Sequence, residues 1–276
     1  MSDVTTSDSW DHRRSVLGRA VAVLDAFDEG ETTVSVAELV RRVALPKTTV
    51  HRMVSELLNY GLLERAGRDV GLGVHLFELG CRVPAQRRLR EVGLPYMQDV
   101  YSSTREAVLM GVLDGHDVVC TARVSGHDRG AVGMSEGERL PLHATAMGKA
   151  MLAFSPRTFV SQVIDAGLGC LTPHTIVVPE ALLQDLARTC RMGVAYAREE
   201  AIMGSAAVAA PILGPGGEVL GALSVDGRAL RFDATCFANA VRVGAAAIAR
   251  RLLARPRAGR DVTVRERSRP GPATVA

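Results

Sequence analysis

Between Pro46 and Gly61 the chain reads PKTTVHRMVSELLNYG, and no other stretch restricts its fold as much. Val50, Met53, Val54, Leu57 and Leu58 recur at i, i+3, i+4, i+7 and i+8, the spacing of a helix that buries one stripe. Pro46 suits a first helical turn, where its missing N–H has no partner to lose. Gly61 suits the left-handed residue that closes a helix. Lys47, Thr48, Thr49, His51 and Arg52 crowd the opposite end from the last apolar residues, so the helix offers its hydrogen-bonding side chains at its start.

Two shorter patterns precede it. SVLGRAVAVLDAF places Leu17, Val21, Leu24 and Phe27 on one helical face, a first helix of about three turns. SVAELVRRVA has Glu38 three residues after Ser35, the spacing of a capping box, and sets Leu39, Val40 and Val43 inward. If the long stripe docks on these two helices, the polar start of the third stays free. Such an end fits the major groove of DNA. Threonine, histidine and arginine contact base edges there, while lysine and first-turn N–H groups hold phosphate. LLERAGRDVGLGV reads as two short strands turning at Gly67, a wing that carries Arg65 and Arg68 toward the adjacent backbone or minor groove. Arg41 and Arg42, at the end of the second helix, complete the candidate DNA-binding set.

Charge follows the same division. Net charge is only +3, yet Lys and Arg outnumber Asp and Glu by six to three over residues 36–68, five to two over 82–105 and eight to two over 250–269. Residues 106–249 reverse this, with eleven basic against fourteen acidic. A basic module attached to something that is not one is the pattern of a nucleic-acid binder with a second function. No apolar run reaches the roughly 18 to 20 residues of a membrane span, and the first fifteen residues lack the apolar centre of a signal peptide, so a soluble cytoplasmic protein without membrane contact is expected. The five cysteines are scattered with no C-x-x-C pair, which points to buried thiols and against a zinc cluster.

The second part alternates apolar runs with helical spacing. PAQRRLREVGLPYMQDVYSST is a helix following a short linker helix around HLFELG. Residues 107–113 and 117–125 form a hairpin through DGHD, and PLHATAMGKAMLAF is a loop entering an apolar helix. PEALLQDLARTCRMG is amphipathic, and AAVAAPILGPGGEVLGALSVDG gives two strands around a Gly-Gly turn. FANAVRVGAAAIARRLLA closes the domain. Strands interleaved with helices through hairpin connections indicate an α+β domain on an antiparallel sheet. Expected boundaries are a disordered tail over 1–14, the winged helix-turn-helix over 15–74, the linker helix over 75–83, the second domain over 84–254 and a disordered basic tail over 255–276.

Catalysis finds little support. His143, Thr145 and Lys149 lie close in sequence, but a histidine beside an apolar helix is usually a satisfied structural residue, and no G-x-S-x-G elbow accompanies it. Neither a dinucleotide fingerprint nor a phosphate loop is complete. Adjacent Glu199 and Glu200 would face opposite sides of a strand. No cofactor and no metal are expected.

SVAELVRRVALPKTTVHRMVSELLNYGLLER, LREVGLPYMQDV, LPLHATAMGKAMLAF, LTPHTI, VAAPIL and GALSVDG, in this order, resemble the IclR family of bacterial transcription regulators over about residues 15–253. The resemblance implies a dimer or dimer of dimers, more often a repressor, whose GAF-like C-terminal domain binds a small effector and tunes affinity for a palindromic or near-palindromic double-stranded DNA operator. It also implies effector contacts at Met110, at Ala146 and Met147, at Ala197, at Ala207, and at Ser224 and Asp226. Two departures bear on chemistry. The Asp frequent at position 197 and the Cys frequent at 207 are alanines here, which implies an effector more apolar than a simple keto acid, aromatic or lactone-like, held by N–H groups near Ala146 and by Ser224; a degenerate pocket is the competing reading. Glycine is usual where this chain has Ala44, and a positive φ there would cost alanine about 1 kcal/mol. Two other function classes compete: a metabolite-binding protein no longer acting on DNA, and a small-molecule hydrolase with a vestigial first domain.

Overall fold

The computed structural model describes residues 15–254, except residue 29 and residues 127–132. The expected tails over 1–14 and 255–276 lie outside these described residues. The chain divides into two compact units between Arg87 and Arg88, four residues past the expected 83/84 boundary.

The first unit holds α1 (Val16–Leu24), α2 (Val36–Arg42), α3 (Lys47–Asn59), a hairpin of β1 (Leu63–Ala66) and β2 (Asp69–Leu72), and α4 (Val74–Cys81). Ser15 and Ser35 cap α1 and α2, their hydroxyls accepting the N–H groups of Gly18 at 2.9 Å and Glu38 at 3.1 Å. Pro46 occupies the cap of α3, one position ahead of the helix. That helix closes as its sequence indicates: Gly61 has φ +68°, the Leu62 N–H donates to the Leu57 carbonyl and the Gly61 N–H to the Leu58 carbonyl. These two bonds make a Schellman motif, satisfying carbonyls that the helix leaves free. Val50, Met53, Val54 and Leu57 are buried with Leu39, Val23, Leu63 and Val70 in one core.

Two expectations need correction. On α1 the buried residue is Val23, while Leu17 is 75% and Val21 45% exposed. This helix has apolar residues on more of its circumference than the small core covers, so one face docks through Val23, Ala20 and Leu24 and another is left outside. Ala44 carries no strain, since Arg105 and Glu199 are the only non-glycine residues at positive φ among those described. The Leu45 N–H donates to the Val43 carbonyl at 2.8 Å, an inverse γ-turn that an alanine adopts at negative φ.

The second unit is built on an antiparallel sheet of order β5-β4-β3-β8-β7-β6. Its elements are α5 (Pro84–Thr104), β3 (Ala107–Asp114), β4 (Asp117–Val124), β5 (Arg139–Pro141), α6 (Ala146–Ala153), α7 (Arg157–Asp165), α8 (Pro179–Met192), β6 (Ala195–Arg198), β7 (Ser205–Leu213), β8 (Val219–Arg228) and α9 (Ala234–Leu253). Strand alternation sorts the side chains. Val108, Val208, Leu223 and Val225 join α5 and α9 in one core, whereas Leu109, Ala207, Ala209 and Ala222 join α6, α7 and α8 in the other. Helix α7 was not expected, and only its Val160 and Val163 are buried. No helix among the described residues is long and apolar enough to cross a membrane.

Candidate functional site

The polar end of α3 is where the sequence indicates. Lys47, Thr48, His51 and Arg52 are exposed and Thr49 half-buried, while the opposite side of the same turns is in the core. Arg52 is 3.9 Å from Glu56 with 60% of its side chain exposed, a loose pair that contributes little and leaves the guanidinium available. On the hairpin, Gly67 and Arg68 form the two-residue turn between Ala66 and Asp69, and Arg65 and Arg68 are both exposed. Arg41 is exposed and pairs with Glu38.

Arg42 departs from the expectation. Its guanidinium donates to Glu38 at 3.0 Å, to both oxygens of Glu31 at 2.5 and 2.9 Å and to the Ala26 carbonyl at 3.1 Å, with Asp28 3.2 Å away. Its hydrogen bonds, followed by that from the Asp28 N–H, hold the Glu31 carboxyl down to about 2. A guanidinium with four of its five N–H groups so occupied fastens the α1–α2 connection to α2 and has little left to offer a phosphate.

In the second unit, Ala146, Met147, Ala197, Ala207, Ser224 and Asp226 converge on one small cavity of about 40 Å³. The sheet register explains the convergence. Ala197 pairs with Ala207, Ala207 with Asp226, and Asp226 with Ala107, while Ser224 lies opposite Ala209 and Leu109, so the floor is made of same-face residues from two neighbouring rows of the sheet. The wall over it comes from α6 and from the Glu199–Ile202 turn. Alanines at 144, 146, 197, 201 and 207 make much of the lining. A cavity of this size is far below the roughly 300–1,000 Å³ usual for ligand sites, so a ring compound fits only once the lining opens.

Met110 is the residue the structure removes from this set. It pairs with Leu223 and packs in the opposite core, its Sδ against Gly93 of α5. One position of slip on a strand reverses the face, and Leu109 is the β3 residue on the cavity side.

Asp226 is the buried acid of the site. Burial pushes its carboxyl up to about 6, against the Ser224 hydroxyl, which donates to Oδ1 at 2.5 Å, and the positive charge of Arg123. Thr145 caps α6 by accepting the Gly148 N–H at 3.0 Å. The N–H groups of Ala146 and Met147 lie in the first turn, where a helix supplies no partner, and the positive end of its dipole adds to their attraction for an anion.

Several lining residues escaped sequence reasoning: Gly133, Met134, Leu140, Glu199, Glu200, Ile202 and Ser205. Only the Thr145 cap had a readable signal, the threonine three residues before Gly148. The turn residues could not be placed without knowing that β6 and β7 are neighbours. His143 is satisfied as expected, its Nε2 2.9 Å from the Gly169 carbonyl. Of the cysteines only Cys120 is buried, and burial pushes its thiol up to about 12; Cys81, Cys170, Cys190 and Cys236 are exposed, against the expectation of buried thiols.

Comparison with known proteins gives two family matches. Residues 16–67 match the IclR helix-turn-helix domain and residues 81–250 the bacterial transcriptional regulator IclR C-terminal domain. Among curated relatives, the Pca regulon regulatory protein of Pseudomonas putida is 30% identical over 76% of this chain and 72% of its own. The transcriptional repressor IclR of Escherichia coli is 29% identical over 76% and 79%. Among solved structures, an IclR homologue from Microbacterium hydrocarbonoxydans complexed with 4-hydroxybenzoate is 33% identical with a TM-score of 0.78, covering 86% of this chain and 99% of that one. The Thermotoga maritima IclR is 26% identical with a TM-score of 0.69, covering 86% and 98%.

Proposed function

The chain belongs to the IclR family of bacterial DNA-binding transcriptional regulators, and on that premise we propose that it is an effector-controlled repressor whose second unit senses a small ring compound. The observation that carries the reading is the pairing, in one chain, of a helix with its polar N-terminal end exposed and a separate domain with a partly apolar cavity.

At the DNA, Thr48, Thr49, His51 and Arg52 face base edges in the major groove, and Lys47 with the first N–H groups of α3 holds phosphate. Arg65 and Arg68 follow the backbone beside it, and Arg41 adds a phosphate contact. Arg42 has no part in this interface. Two copies bind a palindromic or near-palindromic operator with half-sites about one helical turn, or a multiple of it, apart. Self-association to a dimer or tetramer is supported by apolar side chains with no cover in the single chain: Val74, Phe77 and Leu79 on α4 and Leu17 and Val21 on α1 are all more than 40% exposed.

In the cavity, an effector places an anionic or carbonyl oxygen at the N–H groups of Ala146 and Met147, lays its apolar body on Ala197, Ala207 and Met147, and reaches Ser224 and Asp226 with a polar substituent. An aromatic hydroxy acid has this distribution of groups, and the Microbacterium homologue complexed with 4-hydroxybenzoate supports the choice. Effector binding shifts the oligomer between arrangements that differ in wing spacing, by the effector's differential affinity for them.

Fluorescence anisotropy with DNA from upstream of the gene and of its divergent neighbour, against scrambled DNA over a salt series, tests the first half. Specific binding at least about a thousandfold tighter, with a steep salt slope, is expected; equal affinity on genome-wide fragments and scrambled DNA defeats it. Calorimetry with hydroxybenzoates, lactones, pyruvate and glyoxylate tests the second half, and silence with every compound removes the effector reading.

A further inference from the structure

Lys149 is the largest of the fully buried side chains, with 1% exposure, on the helix that supplies Ala146 and Met147 to the cavity. Two carboxylates meet it, Asp185 from α8 and Glu200 from the turn between β6 and β7, with side chains only 10% and 11% exposed. The two contacts differ in kind. Nζ donates to both oxygens of Glu200, each at 2.8 Å. Asp185 Oδ2 is also 2.8 Å away but outside hydrogen-bonding geometry, and its other oxygen accepts from Arg188 at 2.6 Å. Asp185 supplies charge, and Glu200 is the group Lys149 holds.

What Glu200 carries is the cavity wall. Residues 199–202 line the site, and Glu199 sits at φ +57°, a backbone state that persists only where its surroundings enforce it. From the outer side, Thr175 donates to the Glu200 carbonyl at 2.6 Å and Thr172 to the Glu199 carbonyl at 2.5 Å. On the inner side the turn is tied to α6 through the Lys149–Glu200 pair.

We propose that Lys149 and Glu200 are positioning residues for the effector site, a buried latch that joins its two walls, α6 and the 199–202 turn, in one geometry. Effector affinity then depends on a charge pair whose task is to hold the site rather than to contact the ligand. The part that concerns affinity rests on the effector reading above; the latch itself does not.

Glu200→Gln and Asp185→Asn each remove one negative charge beside Lys149, and a merely structural role for the pair makes them equivalent. The proposal separates them. In ligand-free, full-length protein, Glu200→Gln is expected to speed amide hydrogen exchange across residues 199–204 by about tenfold or more, while Asp185→Asn leaves that segment within about twofold. Calorimetric affinity for 4-hydroxybenzoate is expected to fall about tenfold in Glu200→Gln alone. Equal changes in both variants, or no local rise in exchange in Glu200→Gln, overturns the latch. If Glu200→Gln does not fold, the double variant Lys149→Gln with Glu200→Gln leaves no buried charge of the pair unmatched, and the same local rise is required of it. If the parent protein binds no compound of the panel, the effector reading falls and the exchange measurement alone decides the latch.

Discussion

Asp226 shows what one residue can report. A carboxyl whose folded value is raised to about 6 by burial favours the protonated form. The stability linked to it is therefore complete below its unfolded value near 4 and lost as pH rises through about 6. Asp226→Asn keeps an acceptor for Ser224 without the buried charge. It should stabilise the second unit by about 2–3 kcal/mol near pH 7.5, the advantage shrinking to nothing toward pH 4, as read by urea unfolding across that range. A constant difference at all pH values would show that the charge is not the cause. Arginines make the complementary case. Arg52→Ala should cost about 1–3 kcal/mol of operator affinity while leaving random-DNA binding and the thermal midpoint nearly unchanged. Arg42→Ala should lower the thermal midpoint of the first unit and weaken all DNA alike, because the Glu31, Glu38 and Asp28 carboxylates lose their common partner. In sequence the two arginines are alike, basic residues near a recognition helix; the acids that occupy Arg42 come from a loop eleven residues upstream as well as from its own helix. That contact is tertiary, and spacing does not encode it.

At the level of elements, legibility followed periodicity. The stripe of α3, its cap and its Schellman end were readable because each depends on neighbours within one or two turns. So were the strands β7 and β8, two apolar runs around a Gly-Gly turn, whereas Ser224 and Asp226 were named through the family resemblance. Met110 was misplaced because a strand's face changes with every residue, and only the observed pairing with Leu223 fixes which face it takes. α7 is missed although it is legible: Phe159, Val160, Val163 and Ile164 recur at helical spacing and pack in the core with α6 and α8. A demanding contact in the second unit is also invisible in sequence: Gly148 of α6 runs so close to the preceding turn that a Cβ would lie 2.2 Å from the Leu142 carbonyl oxygen. Gly148→Ala therefore cannot be absorbed by a rotamer change, and it should cost about 3 kcal/mol or more and abolish effector binding. Circular dichroism melts together with calorimetry would check it, and a variant with wild-type stability would refute the close approach.

For the whole molecule, the division between Arg87 and Arg88 leads to an expectation about parts. A fragment of residues 84–254 should fold, melt cooperatively and bind effector with the affinity of the full chain, while showing no operator binding. Phe77→Asp, which places a charge on the exposed apolar face of α4, should shift the full chain toward monomer in sedimentation and weaken operator binding without changing effector affinity. The division also governs how such a protein changes over generations. Its cavity is walled by alanines held in place by strand register and by α6 rather than by their own contacts. Each of them can grow to valine, serine or cysteine and reshape the space, while the residues that read DNA are encoded elsewhere in the chain and stay as they were. On the proposed function, a duplicated gene of this design can acquire a new effector in single steps and keep its old operator, and descendants should therefore diverge sooner in what they sense than in where they bind.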